Sequence, residues 1–449
     1  MSELGLTTLV DEGLGNAAYL LDLGDGGALV LDPSRDLRQI RAAAERQGLR
    51  PRFVAETHLH ADFVSGALQL RSHGPVEVLA STAGGRKFTH RGLADGDEVD
   101  LGGLTLRALG TPGHTDEHLS YLLLDGAKPL GVFTGGSLIV GAAARTDLVD
   151  VSRTEELARA QYRSIQRLID LPDEVAVWPT HGAGSFCSAP PGSERTSTIG
   201  AEKAGNWLLA ADSEDEFVSR LLAGLGTYPT YFDRLSEVNR SGPAVVAEPP
   251  ALPPLGIEQA QHLIDAGAVV VDVRPVAAFG AAHIPGAVSI PLRDQFATWL
   301  GWVIEADTPV VIVRGEDQDP AEIAWQAAKI GYGLVGELDG GMHSWDGPTA
   351  AIPVLDATEA AKLESATVLD VRQESEYEAG HLPVAVGIEL GALAAADLPS
   401  GPLLSMCGHG ERAMTAASLA ARRGAQVAVL AGSPRQLARA TGVELSEGR

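Results

Sequence analysis

Cysteine is nearly absent. The 449 residues include 2, Cys187 and Cys407, which excludes a disulfide framework and suits a reducing compartment. The expected location is therefore the cytoplasm. Aromatic residues make up 5% of the chain, and no run approaches the about 18 consecutive apolar residues of a membrane helix. The start, Met1-Ser2-Glu3-Leu4, is acidic and passes straight into a strand-like pattern, so no secretory leader is expected. Positive charge is also scarce. Lys and Arg number 34 against 59 Asp and Glu, a net charge of −25 spread along the chain. Such a surface repels phosphate backbones, so neither nucleic acid nor membrane is expected as a partner. An apolar fraction of 45% is ordinary for a globular protein, and the length suits about three domains.

What is present begins with Cys407. It opens the loop Cys407-Gly408-His409-Gly410-Glu411-Arg412, between the apolar run Leu403-Leu404-Ser405-Met406 and a helical pattern from Ala413. A cysteine at a strand end, followed by a Gly-rich turn and a helix start, lies where backbone N–H groups converge. Such a nest stabilises an anion, so the thiol is expected to react as thiolate. Cys407 and Arg412 are the expected catalytic pair, with Gly408, His409, Gly410 and Glu411 around the substrate. A buried structural cysteine is the alternative; the glycines and Arg412 argue against it.

Two segments repeat each other. Val269-Val270-Val271-Asp272-Val273-Arg274 precedes Phe279 and His283; Thr367-Val368-Leu369-Asp370-Val371-Arg372 precedes Tyr377 and His381. Each pattern is a buried strand, a turn, then alternating strands and helices, which predicts a parallel α/β domain. The Asp-x-Arg pairs are expected to tie strand ends to loops. Aligning Val310–Val313 with Leu403–Met406 sets Arg314 opposite Cys407 and Asp319 opposite Arg412. The first copy therefore lacks nucleophile and cation, and is expected to be structural. The Pro-rich piece from Glu248 to Pro254 reads as a semi-rigid linker before both copies.

The N-terminal half carries a second constellation: Thr57-His58-Leu59-His60-Ala61-Asp62-Phe63, then Gly113-His114-Thr115, Phe133-Thr134-Gly135-Gly136, and Thr180-His181. Each follows a strand-like run. Imidazoles and carboxylates on loops at one sheet edge can converge on a metal. His58, His60, Asp62, His114 and His181 are the candidate ligands.

The Cys407 loop resembles that of rhodanese-type sulfurtransferases, which park a persulfide on cysteine. Related phosphatase loops need one residue more, and Ala413 stands where their arginine would be. The histidine motifs resemble the metallo-β-lactamase superfamily, nearest its persulfide dioxygenase branch, whose bacterial members are often fused to rhodanese domains. Arg145-Thr146-Asp147, Ser197–Lys203, Tyr231-Phe232 and Asn239–Pro243 support that match. The resemblance implies an α/β chain: an αββα metallo-β-lactamase sandwich over residues 1–245, then rhodanese-like domains with parallel sheets over 256–350 (inactive) and 356–449 (active). It also implies dimers through the first of these.

Two departures from the superfamily pattern matter. Phe63 stands in place of a histidine, which removes a ligand of a second metal and fills its space. Gly136 stands in place of the aspartate that, with the counterparts of His58 and His114, would hold one iron. At most one iron or zinc ion, weakly held, is expected. Three readings remain open: zinc on His58, His60 and His114; iron completed by Asp62 or water; or a metal-free docking surface. The Cys407 loop needs no cofactor. The leading expectation is a sulfurtransferase that passes sulfane sulfur through a Cys407 persulfide to small thiols such as glutathione, or from thiosulfate. The alternatives are a bifunctional persulfide dioxygenase–rhodanese, a non-enzymatic persulfide carrier or sensor, and, last, a glyoxalase II-like hydrolase.

Overall fold

A computed structural model describes residues 4–188, 194–363 and 365–448; Met1, Ser2 and Glu3 of the N-terminal reading lie outside it. Strand alternation builds the first half. In Asn16–Asp22, Tyr19 and Leu21 point to one face and Leu20 to the other, as a period of two requires. Six strands form one sheet in the order Leu6–Asp11, Asn16–Asp22, Gly27–Leu31, Arg50–Ala55, Glu77–Ser81 and Arg91–Leu93. Six more form a second: Ser197–Thr198, Ala176–Pro179, Lys128–Gly135, Leu119–Asp125, Leu104–Gly110 and Glu98–Asp100.

The inward residues of the two sheets meet: Tyr19, Leu21, Leu29 and Leu31 against Leu106, Tyr121, Leu123 and Phe133. The outward residues of the first sheet, Leu20, Ala28, Val30, Val54 and Val78, pack against Ile40, Ala43 and Ala44 of the helix Arg38–Gln47. Those of the second, Leu122, Leu124, Val132 and Val177, pack against Ala158, Ile165 and Leu168 of the helix Thr154–Ile169. This is the expected αββα sandwich. Each fully buried Leu or Phe contributes about 1.5–3 kcal/mol of transfer free energy. Strands Leu104–Gly110, Lys128–Gly135 and Ala176–Pro179 all run the same way, so the loops that leave them emerge at one edge. Two buried tyrosines bridge to chain positions where strand gives way to loop: Tyr19 Oη donates to the Pro179 carbonyl at 2.7 Å, and Tyr121 Oη to the Glu56 carbonyl at 3.0 Å.

The second half holds two all-parallel five-stranded sheets of one topology. The first runs Pro254–Leu255, Leu334–Leu338, Val310–Val313, Val269–Asp272, Val288–Ser289; the second runs Val354–Leu355, Val427–Leu430, Leu403–Met406, Thr367–Asp370, Val386–Gly387. Helices follow the strands, which is how parallel sheets are connected. The end of the Pro-rich linker is built in: Pro254–Leu255 forms an edge strand, where proline is tolerated, and the Glu337 N–H donates to the Pro253 carbonyl at 2.9 Å. The chain divides into two compact units, residues 1–247 with 328–331 and residues 248–327 with 332–449.

Candidate functional site

Cys407 follows the central strand Leu403–Met406 and is buried. The carboxyl ends of parallel strands are where such sheets bind ligands. Gly410 has φ 109°, a conformation that favours glycine, and its N–H donates to Cys407 Sγ at 3.1 Å. The helix Glu411–Arg422 starts there, so its partly positive end lies near the sulfur. His409 is exposed and Glu411 half-buried.

Arg412 is not left free to face the sulfur. Its Nη1 and Nη2 donate to the two Glu376 oxygens at 2.5 and 2.8 Å, and its Cζ lies 6.0 Å from the Trp299 ring centre. Burial works against the Arg412 cation, but Glu376 outweighs it and raises its pKa. Burial likewise raises Glu376, but Arg412 outweighs it and lowers its pKa below the usual carboxylate range. The carboxylate fixes the guanidinium beside the loop.

In the first copy Arg314 fills the equivalent loop. It pairs with both Glu337 oxygens and donates from Nη1 to the carbonyls of Gly315 and Gln318 at 3.1 and 3.0 Å. Asp319 is exposed and accepts from the Ala321 N–H at the start of the helix Pro320–Lys329. The Asp-x-Arg pairs do tie strand to loop in both copies. Arg274 Nη2 donates to Asp272 at 2.6 Å and to the Ala282 carbonyl at 2.8 Å; Arg372 Nη2 donates to Asp370 at 2.6 Å and to the Gly380 carbonyl at 2.9 Å.

The N-terminal loops bring five buried histidines together: His58, His60, His114, His118 and His181. Their hydrogen bonds assign the tautomers. Thr57 Oγ1 donates to Asp32, so at 2.9 Å it accepts from His58 Nδ1–H. Asn16 Nδ2 donates to Asp62 at 2.7 Å, so Asn16 Oδ1 accepts from His181 Nδ1–H at 3.0 Å. His114 Nδ1–H donates to the Arg145 carbonyl at 2.7 Å. Each of these three rings is left with a bare Nε2, and those of His58 and His181 lie 3.3 Å apart. Two facing lone pairs call for a cation between them. Burial pushes His58 well below its ordinary pKa and His114 down to about 3, so both stay neutral.

The donors fall into two groups that share His181. Donor atoms of His58, His60 and His181 lie within 4.8 Å of one another, and so do those of His114, His181 and Cys187. His60 thus joins His58 and His181, not His58 and His114 as the three-histidine reading had it. His60 Nε2 faces Asp32 at 3.1 Å; its Nδ1 and Asp62 Oδ1 are buried with no hydrogen-bond partner. Burial opposes the His60 charge, but Asp32 outweighs it and raises its pKa. Burial also raises Asp32, but His60 and the hydroxyls of Thr180 and Thr57 bring it down to about 2. These inward nitrogens and the orphaned carboxylate oxygen fit one metal ion.

A second ion and the lost aspartate do not fit. The Phe63 ring stacks on His60 with centres 4.2 Å apart. A Cβ on Gly136 would lie 2.5 Å from His114 Cδ2 and 3.1 Å from Ala144 Cβ, so the His114 ring occupies that space. Three residues of the pocket went unread in the sequence. Asp32 follows the strand Gly27–Leu31 as the other site residues follow theirs. His118 comes four residues after His114; it accepts from the Gly136 N–H at 3.0 Å and bonds Thr111 Oγ1 at 2.9 Å, so both nitrogens are used. Cys187 lies six residues after His181.

Comparison with known proteins agrees with this geometry. Residues 11–181 match the metallo-beta-lactamase superfamily model, and residues 257–347 and 355–439 each match the rhodanese-like domain model. Relatives include the hydroxyacylglutathione hydrolase of Erwinia tasmaniensis, 31% identical over 37% of this chain and 61% of that protein. The mitochondrial persulfide dioxygenase ETHE1 of Homo sapiens is 29% identical over 40% of this chain and 68% of that protein. The chain thus spans about three fifths to two thirds of these relatives' own length. A metallo-beta-lactamase crystal structure from Staphylococcus aureus superposes with a TM-score of 0.67 at 28% identity, covering 75% of this chain and 99% of that one.

Proposed function

Since the chain is a metallo-β-lactamase superfamily protein carrying two rhodanese-like domains, we propose that it is a sulfurtransferase of persulfide metabolism working through Cys407. The observation that carries this reading is the Gly410 N–H donating to Cys407 Sγ at 3.1 Å, at a helix N-terminus flanked by Arg412. The Cys407 thiolate attacks the outer sulfur of a donor such as thiosulfate. A Cys407 S–S bond forms, the donor's S–S bond breaks, and sulfite leaves with the electron pair. The persulfide anion is held by the loop N–H groups and the neighbouring cation. An acceptor thiolate then attacks the outer sulfur and expels Cys407 as thiolate. Residues 356–449 form the active module and residues 256–350 its inert neighbour, following the residue 1–245 module. The relatives' names, one built on glutathione and one on a persulfide, support a small thiol as acceptor.

The second reading adds persulfide oxidation in the N-terminal pocket, and is favoured by the inward Nε2 atoms of His58, His114 and His181. A metal bound by these histidines would supply a Lewis acid with an open position. Asp32, through Thr57, and Asp62, through Asn16, orient two of the imidazoles, as outer partners of metal ligands do. The missing carboxylate at position 136 argues against efficient iron chemistry. The test is intact-mass spectrometry after thiosulfate, beside oxygen uptake with glutathione persulfide and ferrous iron. One added sulfur on Cys407 with little oxygen uptake is expected. Absence of the adduct, with thiosulfate–cyanide transfer persisting in Cys407→Ser, refutes the first reading.

A further inference from the structure

We propose that Cys187 replaces the carboxylate missing at Gly136, so that His114, His181 and Cys187 form a thiolate metal site suited to zinc. The three residues are buried and their donor atoms lie within 4.8 Å of one another. One backbone unit places two of them. The Arg145 carbonyl accepts from His114 Nδ1–H at 2.7 Å, and the Arg145 N–H donates to the Cys187 carbonyl at 2.8 Å. Arg145 is itself anchored by Asp147 through two bonds of 2.7 Å. His181 is turned by Asn16 Oδ1 at 3.0 Å, and Asn16 by Asp62 Oδ2 at 2.7 Å. Asp62 Oδ1, buried and without a partner, completes the surroundings.

The chemistry of this donor set separates it from the site that the superfamily pattern implies. Two histidines and a carboxylate suit ferrous iron; imidazole with thiolate suits zinc, whose tetrahedral site would keep a fourth position open. A thiolate also supplies the negative charge that Gly136 cannot, so a divalent ion here is partly neutralised within the low-dielectric interior. The sulfur comes from a different loop than position 136, so the His114 ring need not move aside. On binding, the Cys187 S–H bond breaks, the sulfur electron pair forms the bond to the metal, and the proton passes to the buffer. Nothing in this site depends on the Cys407 reading.

The full chain carrying Cys407→Ser has Cys187 as its one thiol, and is the protein to test. After metal removal it is titrated with cobalt(II), then with zinc. The expected result is a thiolate-to-cobalt charge-transfer band saturating at one ion per chain, displaced by zinc, with proton release measurable by calorimetry. Adding Cys187→Ser should abolish the band and weaken zinc binding by more than the about 10–100-fold that loss of an outer partner costs. Cys187→Ala is the second variant, and circular dichroism reports the fold of each. Saturation with cobalt and no charge-transfer band overturns the proposal, as does unchanged zinc affinity in both variants or failure of the parent to take up metal. If both variants unfold, the spectrum of the folded parent decides. Iron in place of zinc in the purified wild type overturns the zinc assignment.

Discussion

Arg314 and Cys407 occupy the same place in two copies of one frame, and the frame around them is closely repeated. Asp272–Arg274 and Asp370–Arg372 make the same paired bonds, and His283 and His381 stack on Phe279 and Tyr377 with ring centres 3.9 Å apart in both copies. The difference is confined to the loop and what faces it. In the second copy Glu376, six residues after Asp370, holds Arg412; the residue six after Asp272 is Ala278, and Asp319 stands where the arginine would be. In the first copy Glu337 holds Arg314 across the loop. The strand position with the same pairing in the second copy is Val429, which pairs with Val354 as Glu337 pairs with Pro254. One loop is plugged by its own cation; the other keeps its cation to one side and its sulfur at the centre. The fold sets where a loop's N–H groups point, and a few side chains decide what occupies it.

The first copy also packs against the second. Within their shared unit the Ser289 N–H donates to Ser418 Oγ at 3.1 Å, Arg422 donates to the Gly286 carbonyl at 2.6 Å, and Trp299 of the helix Phe296–Val303 lies beside Arg412.

The sharpest break in the comparison is Cys407→Ser. Thiosulfate–cyanide transfer should fall to background while the circular dichroism spectrum is unchanged; transfer surviving in that variant would erase the distinction between the copies. Arg412→Ala comes next. It removes the cation and leaves the Glu376 carboxylate beside the anion, so turnover should fall by roughly 10²-fold, the scale of one lost oxyanion donor. Steady-state kinetics with an anionic and a neutral donor would show the anionic one hit harder.

Arg314→Cys in the Cys407→Ser background should not regain transfer, because Asp319 and Ala278 supply no cation. It should instead cost about 1–3 kcal/mol by leaving Glu337 without a partner, read as a lower denaturant midpoint. Restored turnover there would show that the nucleophile alone separates the copies. The Arg412–Glu376 pair has an acid limit. Because the Glu376 pKa is lowered on folding, its stabilisation is complete above the ordinary carboxylate value of 4.5 and drains away as pH falls through the lowered value. Glu376→Gln should flatten that limb of the stability profile. The smallest effect belongs to Trp299→Leu. Losing about 1 kcal/mol of contact with the guanidinium should slow transfer about fivefold, while Arg314 variants leave it untouched.

The sequence by itself determined most of the candidate site residues and what frame they sit in. Strand runs that stop shortly before His58, His114, His181 and Cys407 are local patterns, and a repeat with Asp-x-Arg at matching positions needs no coordinates to be seen. Pairings between distant segments are another matter, because side-chain partners are set by packing and not by spacing. Tertiary structure alone turned Arg412 toward Glu376, 36 residues away, and Arg314 toward Glu337. It alone set Cys187 beside His114 and His181, and filled the space at Gly136 with the His114 ring. The inward aim of His58, His181 and His114 likewise rests on Thr57, Asn16 and the Arg145 carbonyl. A buried donor faces whatever the fold leaves nearest, and it must be satisfied there.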